Sequence, residues 1–257
     1  MTEVLWQEKT PYQELAVYRT AQYGLMLVLD QAVQTTDADE FFYHEMLVHV
    51  PLVAHPDPRR VLIIGGGDGG TLREALKHPS VERVDMVEID LRVVEAGRRF
   101  FPALSASFAD PRANLLIADG IRHVAEAPPG EYDCILVDST DPVGPAVGLF
   151  AADFYRNCHR ALGEQGILTV QSESPLANRD LIREVGGRLA GIFPSSGVYL
   201  GPVPTYPTGL WSYSYGSKGA DISRFDPERA DRLSTRYYNA AVHTGACRLP
   251  PFLLENG

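Results

Sequence analysis

The 257 residues are enough for one large α/β domain with a small appendage and a substantial core. The 33 acids outnumber the 23 Lys and Arg, and the resulting −10 is spread along the chain without a basic stripe. That balance argues against nucleic acid and suits a cationic small molecule. No basic n-region precedes an apolar run, and no apolar stretch approaches the roughly 20 residues that span a bilayer, so a cytoplasmic protein is expected. Cys134, Cys158 and Cys247 are odd in number and lack metal-ligand spacing, which makes them reduced thiols.

Residues 12–36 alternate as strands do. Leu15, Val17 and Tyr18 lead to a Tyr23-Gly24 turn, followed by Leu25-Met26-Leu27-Val28-Leu29 and a short run at Val33. This is a small antiparallel appendage. Thr36-Asp37-Ala38-Asp39-Glu40 offers cap oxygens and first-turn acids. Phe41, Phe42, Glu45, Met46, His49 and Val50 then continue at helical spacing up to Pro51, a helix bridging to the main domain. His55-Pro56-Asp57-Pro58-Arg59-Arg60 is a turn-rich linker.

The segment Val61-Leu62-Ile63-Ile64 reads as a buried parallel strand, and Gly65-Gly66-Gly67-Asp68-Gly69-Gly70 leads from it into a helix over Thr71–Lys77. Gly65, Gly67 and Gly70 satisfy G-x-G-x-x-G, where missing side chains permit a tight turn, close approach of a ligand and helix-on-strand packing. Asp68 sharpens this weak pattern, because an anion inside the turn repels a pyrophosphate or carboxylate and attracts a cation. Further βα units follow: strands over Val81–Ile89, Leu115–Ala118, Cys134–Val137 and Ile167–Val170, and helices over Leu91–Phe101, Ile121–Ala127, Phe150–Leu162 and Asn178–Ile192. Their rhythm predicts a doubly wound parallel sheet with right-handed crossovers. Val198–Leu200 and Leu210–Tyr215, separated by Pro202, Pro204 and Pro207, read as a closing antiparallel hairpin.

Ligands of open α/β sheets sit beyond the carboxyl ends of the strands. Here those ends carry Asp68, then Glu88 and Asp90, then Asp119-Gly120, then Asp138 and Asp141. Glu88 falls 18 residues beyond Gly70, where an acid accepts hydrogen bonds from a ribose diol. Asp119 has two readings, acceptor for an exocyclic amine of the base or helix N-cap. Asp138 and Asp141 with Asp68 make a concave anionic well, for which an organic ammonium is favoured over Mg²⁺ in the absence of a histidine cluster. An alkylammonium with a pKa of ~10.4 has no lone pair, so an amine nucleophile needs a proton acceptor, and Asp138 at the strand terminus is the best-held candidate. Tyr206 lies in a proline-flanked loop, where it either faces a cation or is merely ordered by its neighbours. Trp211 either lines the pocket or fills the core.

Tyr12-Gln13, Leu27-Val28-Leu29-Asp30, Asp39-Glu40, Tyr43-His44-Glu45-Met46, the Gly65–Gly70 turn, Val87-Glu88-Ile89-Asp90, Asp119-Gly120, Asp138 to Pro145 and Pro204 to Gly209, with Tyr237-Tyr238-Asn239 and His243, together resemble the spermidine synthases. The GGGDGG and DSTDPVGPA stretches are the specific ones, and the match runs in order through nearly the whole chain. The resemblance implies an α/β chain with a seven-stranded methyltransferase-like (Rossmann-type) sheet and a small N-terminal antiparallel β-domain. Residues 1–50 would form the appendage and bridging helix, and 51–257 the catalytic domain. It further implies transfer of the aminopropyl group of decarboxylated S-adenosylmethionine to putrescine by direct displacement, giving spermidine and methylthioadenosine. That donor is a co-substrate, so neither a cofactor nor a metal is implied, and a homodimer or homotetramer is expected.

By the same resemblance, Gln13, Gly65, Gly67, Asp68, Glu88, Asp119, Gly120 and Pro145 surround the donor. Tyr43, His44, Asp68, Asp138, Asp141 and Tyr206 surround the polyamine, with Asp138 as general base. The chain departs from the pattern at Leu29-Asp30-Gln31, where the family has Leu-Asp-Gly, and it starts about one hairpin short of many bacterial relatives. Other readings remain: cadaverine, agmatine or spermidine as acceptor; a small-molecule methyltransferase or an NAD-dependent oxidoreductase, both disfavoured by Asp68; and a non-catalytic polyamine sensor.

Overall fold

The structure, a computed structural model, describes residues 2–141 and 144–254. The chain opens with β1 (Glu3–Lys9), β2 (Glu14–Arg19), β3 (Leu25–Leu29) and β4 (Ala32–Thr36), an antiparallel sheet in that order. The sequence pattern does not reveal β1: its side chains are exposed or half-buried throughout, so nothing repeats with a period of two. The β3–β4 turn, which lacks the glycine of the family pattern, places both Asp30 (φ 46) and Gln31 (φ 68) in the left-handed region. This two-residue geometry matches hairpin twist, and Asp30 supports it by accepting from the Glu14 amide at 2.8 Å.

Helix α1 (Glu40–Ala54) runs past Pro51, where the sequence reading ends it. The proline forfeits one amide donor, but the helix is buried on nearly every side, and packing outweighs that loss. Asp39 caps nothing with its side chain. Its Oδ1 accepts from the Thr36 hydroxyl at 2.6 Å and its Oδ2 from the Thr205 amide at 2.8 Å, tying a distant loop to the start of α1.

The main domain continues through β5 (Arg60–Gly65), α2 (Gly70–Leu76), β6 (Arg83–Glu88), α3 (Leu91–Phe100), α4 (Pro102–Ser105), β7 (Ala113–Ile117), α5 (Gly120–Glu126) and β8 (Tyr132–Asp138). Then come α6 (Ala152–Ala161), β9 (Leu162–Gln171), α7 (Arg179–Ala190), β10 (Ser195–Pro202) and β11 (Leu210–Ser217), and finally α8 (Pro227–Asp231), α9 (Ala240–Ala246) and α10 (Pro251–Leu254). The seven strands lie in the order β10-β11-β9-β8-β5-β6-β7. β5 pairs in parallel with β6 and β8, whereas β11 runs against both of its neighbours. This mixed sheet and the four-stranded one before it are the architecture expected of the chain.

Apolar side chains cover both faces of the large sheet. On one, Tyr43, Met46 and Leu47 of α1 pack with Val61, Ile63, Leu72, Leu136 and Tyr213. On the other, Phe154, Tyr155, Val185 and Leu189 pack with Leu62, Ile135, Val137 and Leu168. Helix α1, grouped with the appendage in the sequence reading, thus belongs by packing to the core of the main sheet. The small sheet has its own cluster, with Leu15, Val17, Leu27 and Leu29 against Val93, Ala96 and Phe101. Cys134 and Cys158 are buried and Cys247 half-buried, all three unpaired. No helix among the described residues is long and apolar enough to cross a membrane.

This winding fixes the site. The chain moves from β5 outward to β6 and β7, then returns to the other side of β5 for β8, so the switch point lies between β5 and β8. Gly65 and Asp138 are register partners across that seam. A ligand crevice forms where such a reversal occurs.

Candidate active site

A cavity of about 410 Å³ opens at this switch point. It is lined by Gln13, Gly65, Gly67, Asp68, Glu88, Asp119, Gly120, Asp138 and Asp141 from the strand ends and appendage, and by Tyr43, His44 and Tyr206 from α1 and the β10–β11 loop. These are all of the residues expected at the site other than Pro145. It lies in the short helical turn Gly144–Phe150, and its side chain falls outside the described residues, as do Pro142 and Val143 of the same motif.

Asp138 ends β8 with both carboxylate oxygens engaged. The Tyr43 hydroxyl donates to Oδ1 at 2.8 Å and the Thr71 hydroxyl to Oδ2 at 2.5 Å, while the backbone carbonyl accepts from the Gly66 amide at 2.9 Å. Gly65 permits this approach: a Cβ there would lie 2.0 Å from the Asp138 carbonyl oxygen, and its φ is 85. Each carboxylate oxygen keeps a free lone pair for a further donor. Burial, with the Asp68 charge, raises the Asp138 pKa, whereas His44, Thr71 and Tyr43 oppose the rise. Such a carboxylate is a better base than an exposed one. Burial and the adjacent Asp138 hold the Tyr43 phenol well above its usual range, so it stays a donor.

Asp68 sits in the glycine turn, where its Oδ1 accepts from the Gly70 amide at 2.8 Å and its Oδ2 faces His44 Nε2 at 3.6 Å. His44 donates through Nδ1 to Glu40 at 2.6 Å, and the carboxylates on either side hold its pKa well above the ordinary range against burial. Gly70 accommodates this ring, since a Cβ there would lie 2.2 Å from the imidazole. The third glycine of the fingerprint thus clears space for a site residue in addition to easing helix packing.

On the nucleoside side, Glu88 is 6% exposed and accepts from the Asp90 amide at 2.8 Å. Burial, reinforced by Asp90 and Asp138, pushes its pKa up to about 7. Asp119 uses Oδ1 to cap α5 through the Ile121 amide at 2.8 Å while its residue still lines the cavity, so the two readings of this position are compatible. Gln13 reaches the cavity from the appendage because Asp90 Oδ2 takes a hydrogen bond from its side-chain amide at 3.0 Å and another from Thr10 at 2.7 Å.

Tyr206 donates its hydroxyl to the Gln34 carbonyl at 2.5 Å and sets its ring 5.7 Å from Tyr43. Trp211, left undecided by sequence, is both buried and at the cavity wall, with Nε1 donating to Gln171 Oε1 at 3.1 Å. Three neighbours escaped the sequence reading: Thr71, Gln171 and Glu173. Glu173 is buried with φ 69, and burial together with the adjacent Asp141 carboxyl pushes its pKa up to about 8. An acid close behind a buried strand is the same signal that singled out Asp138, and Glu173 lies two residues past the end of β9.

A methyltransferase-like sheet with a carboxylate-lined cavity at its switch point defines a class, the group-transfer enzymes built on that sheet. Residues 40–226 match the family model described as the spermine/spermidine synthase domain, and residues 1–37 the one described as the spermidine synthase tetramerisation domain. The polyamine aminopropyltransferase of Moorella thermoacetica is 53% identical over 255 residues, 99% of this chain and 90% of that protein. That of Desulforudis audaxviator is 49% identical over 99% of this chain and 92% of its own length. Among solved structures, a spermidine synthase in complex with the transition state analogue AdoDATO superposes with a TM-score of 0.94 at 42% identity, covering 97% of this chain and 86% of that one. Spermidine synthase from Thermotoga maritima gives 0.92 at the same identity and coverage. The chain belongs to the spermine/spermidine synthase family of polyamine aminopropyltransferases.

Proposed function

We propose that this enzyme transfers the aminopropyl group of decarboxylated S-adenosylmethionine to putrescine, forming spermidine and methylthioadenosine, with Asp138 as general base. What carries the reading is the pairing of two carboxylates at one seam, half-buried Asp138 clamped by Tyr43 and Thr71 and buried Asp68 aimed by Gly70 and His44. In the reaction, Asp138 takes a proton from one primary ammonium of putrescine, and the freed nitrogen lone pair attacks the propyl carbon bonded to sulfur. The new C–N bond forms as the C–S bond breaks, and the electron pair of that bond neutralises the sulfonium. The sulfonium is already a good leaving group, so the protein has only to align the partners and accept that proton.

Glu88 fits the ribose diol, Asp119 and Gly120 the base, and Asp68 the terminal ammonium of the donor. Ordinary S-adenosylmethionine brings its carboxylate to that point, and at an effective dielectric near 20 a unit-charge clash at about 4 Å is worth about 4 kcal/mol. Asp141 with Tyr206 would receive the remote ammonium of the acceptor, beyond the reacting nitrogen. Tyr43 and His44 complete the acceptor side, and Gln13 and Pro145 the donor side. The match of residues 1–37 to a tetramerisation domain supports a homo-oligomer, and a cytoplasmic location is part of the proposal.

The test offers the enzyme decarboxylated donor with putrescine, cadaverine, agmatine and spermidine, and reads the products by mass. Spermidine with equimolar methylthioadenosine is expected, putrescine giving the highest kcat/KM. Preference for another amine would move the acceptor assignment, and absence of methylthioadenosine with every amine would remove the activity.

A further inference from the structure

We infer that Glu40 and Arg73 are positioning residues that, through His44, hold a fixed positive charge beside Asp68 and Asp138 and so keep Asp138 ionised for its role as base. The inference rests on the activity proposed above and adds to it two residues that touch no substrate.

The geometry begins at His44, which is 2% exposed. Its Nδ1 lies 2.6 Å from Glu40 and its Nε2 3.6 Å from Asp68. A neutral imidazole has one donor and one acceptor, so with a carboxylate on either side one of its lone pairs would point at an anion. Only the doubly protonated ring suits both neighbours. Glu40, itself buried, cannot turn away, because Arg73 grips it as a fork, Nη1 to Oε1 at 3.0 Å and Nη2 to Oε2 at 2.9 Å. The fork is anchored in turn: Arg73 Nε donates to Glu74 Oε1 at 2.7 Å, and Glu74 Oε2 meets His49 at 2.9 Å and Lys77 at 2.6 Å. Alternating charges thus run along the α1–α2 interface from the cavity to Glu74, which contacts His49, and His78 lies 3.0 Å beyond that ring.

The same two helices hold Asp138, α1 through Tyr43 and α2 through Thr71. The groups facing His44 are Glu40 and Tyr43 of α1, Asp68 of the glycine turn and Asp138 of β8. Asp138 additionally faces Tyr206, Tyr213 of β11 and Glu88 of β6. Of all these, His44 alone can be cationic. Without its charge, Asp68 and Asp138 become two like charges in one buried well, a situation in which one carboxyl takes a proton. A protonated Asp138 cannot deprotonate an amine.

The full-length enzyme labelled with ¹⁵N-histidine supplies the direct test, the His44 signals being assigned by their loss in His44→Gln. Both ring nitrogens of His44 should be protonated at pH 8, where an unperturbed histidine is neutral. One bare nitrogen there would overturn the inference. In Glu40→Gln, the acid limb of kcat/KM should move up by about one pH unit, a loss of about tenfold at pH 7 that shrinks to within about threefold by pH 9. Arg73→Lys, which keeps the charge and loses the fork, should shift the limb in the same direction by less. A loss that is uniform with pH in both variants would reduce them to structural residues and contradict the inference. The resonance measurement needs no turnover, so its failure and a failure of the assigned activity are read separately.

Discussion

The imidazole of His44 lies directly over Gly70, so close that a methyl group on the glycine would fall 2.2 Å from a ring carbon. One glycine therefore sets both the first turn of α2 and the position of a ring that meets Asp68. Gly70→Ala should displace His44 and the Asp68 carboxylate with it. We expect kcat/KM to fall at least 100-fold while stability drops by about 1–3 kcal/mol, the usual range for overpacking. Steady-state kinetics beside a thermal melt will separate the two, and a variant with full activity would show that the ring has room to move.

Asp68→Asn retains an oxygen for the Gly70 amide, so the turn should survive. What changes is the charge. The preference for decarboxylated over ordinary S-adenosylmethionine should fall at least tenfold, measured by competition of the two nucleosides. An unaltered ratio would place the discrimination elsewhere.

Glu88 gives donor binding a pH dependence. With its pKa at about 7, the carboxyl is largely protonated below neutrality and must ionise to accept two ribose hydroxyls. Donor affinity should therefore weaken as pH falls from 7 to 5, approaching tenfold per unit, with proton release near pH 6.5. Calorimetry in two buffers of different ionisation enthalpy will count that proton. Glu88→Gln should abolish the release, and its persistence would assign the proton to another group.

Glu173 gives stability, rather than donor binding, a pH dependence. Its carboxyl is raised in the folded chain to about 8 by burial and Asp141, against 4.5 for the group unperturbed, so the native state binds the proton more tightly than the unfolded one. Its contribution is then fully present below pH 4.5 and is lost as pH rises through about 8. Glu173→Gln should flatten the decline in Tm between pH 5 and 9, and an identical slope in both proteins would exclude Glu173 as the source.

The fold and half of the site were readable because each depends on local pattern. Buried strands such as Val61–Ile64 announce themselves by apolar runs, and an acid directly after such a strand must lie at the rim where ligands bind, which finds Asp68, Glu88 and Asp138. Gln13, Tyr43 and His44 came only with the family resemblance, since no spacing tells which face of α1 meets the switch point or that Asp90 draws Gln13 inward. Glu40 reads only as a first-turn acid within a family motif, and Thr71 and Arg73 only as members of a helical run. Their roles arise where α1 crosses α2, a tertiary contact with no signature in either helix. Pro51 misled for a related reason, because the rule that proline ends a helix holds where packing does not override it.

The central claim is that Asp138 takes the proton from the attacking amine, and Asp138→Asn tests it with little change in shape. The measurement is single-turnover release of methylthioadenosine from saturating decarboxylated donor and putrescine. A rate lowered by roughly 10²–10⁴ with donor affinity retained is expected, and a rate equal to that of the unaltered enzyme would contradict Asp138 as the base.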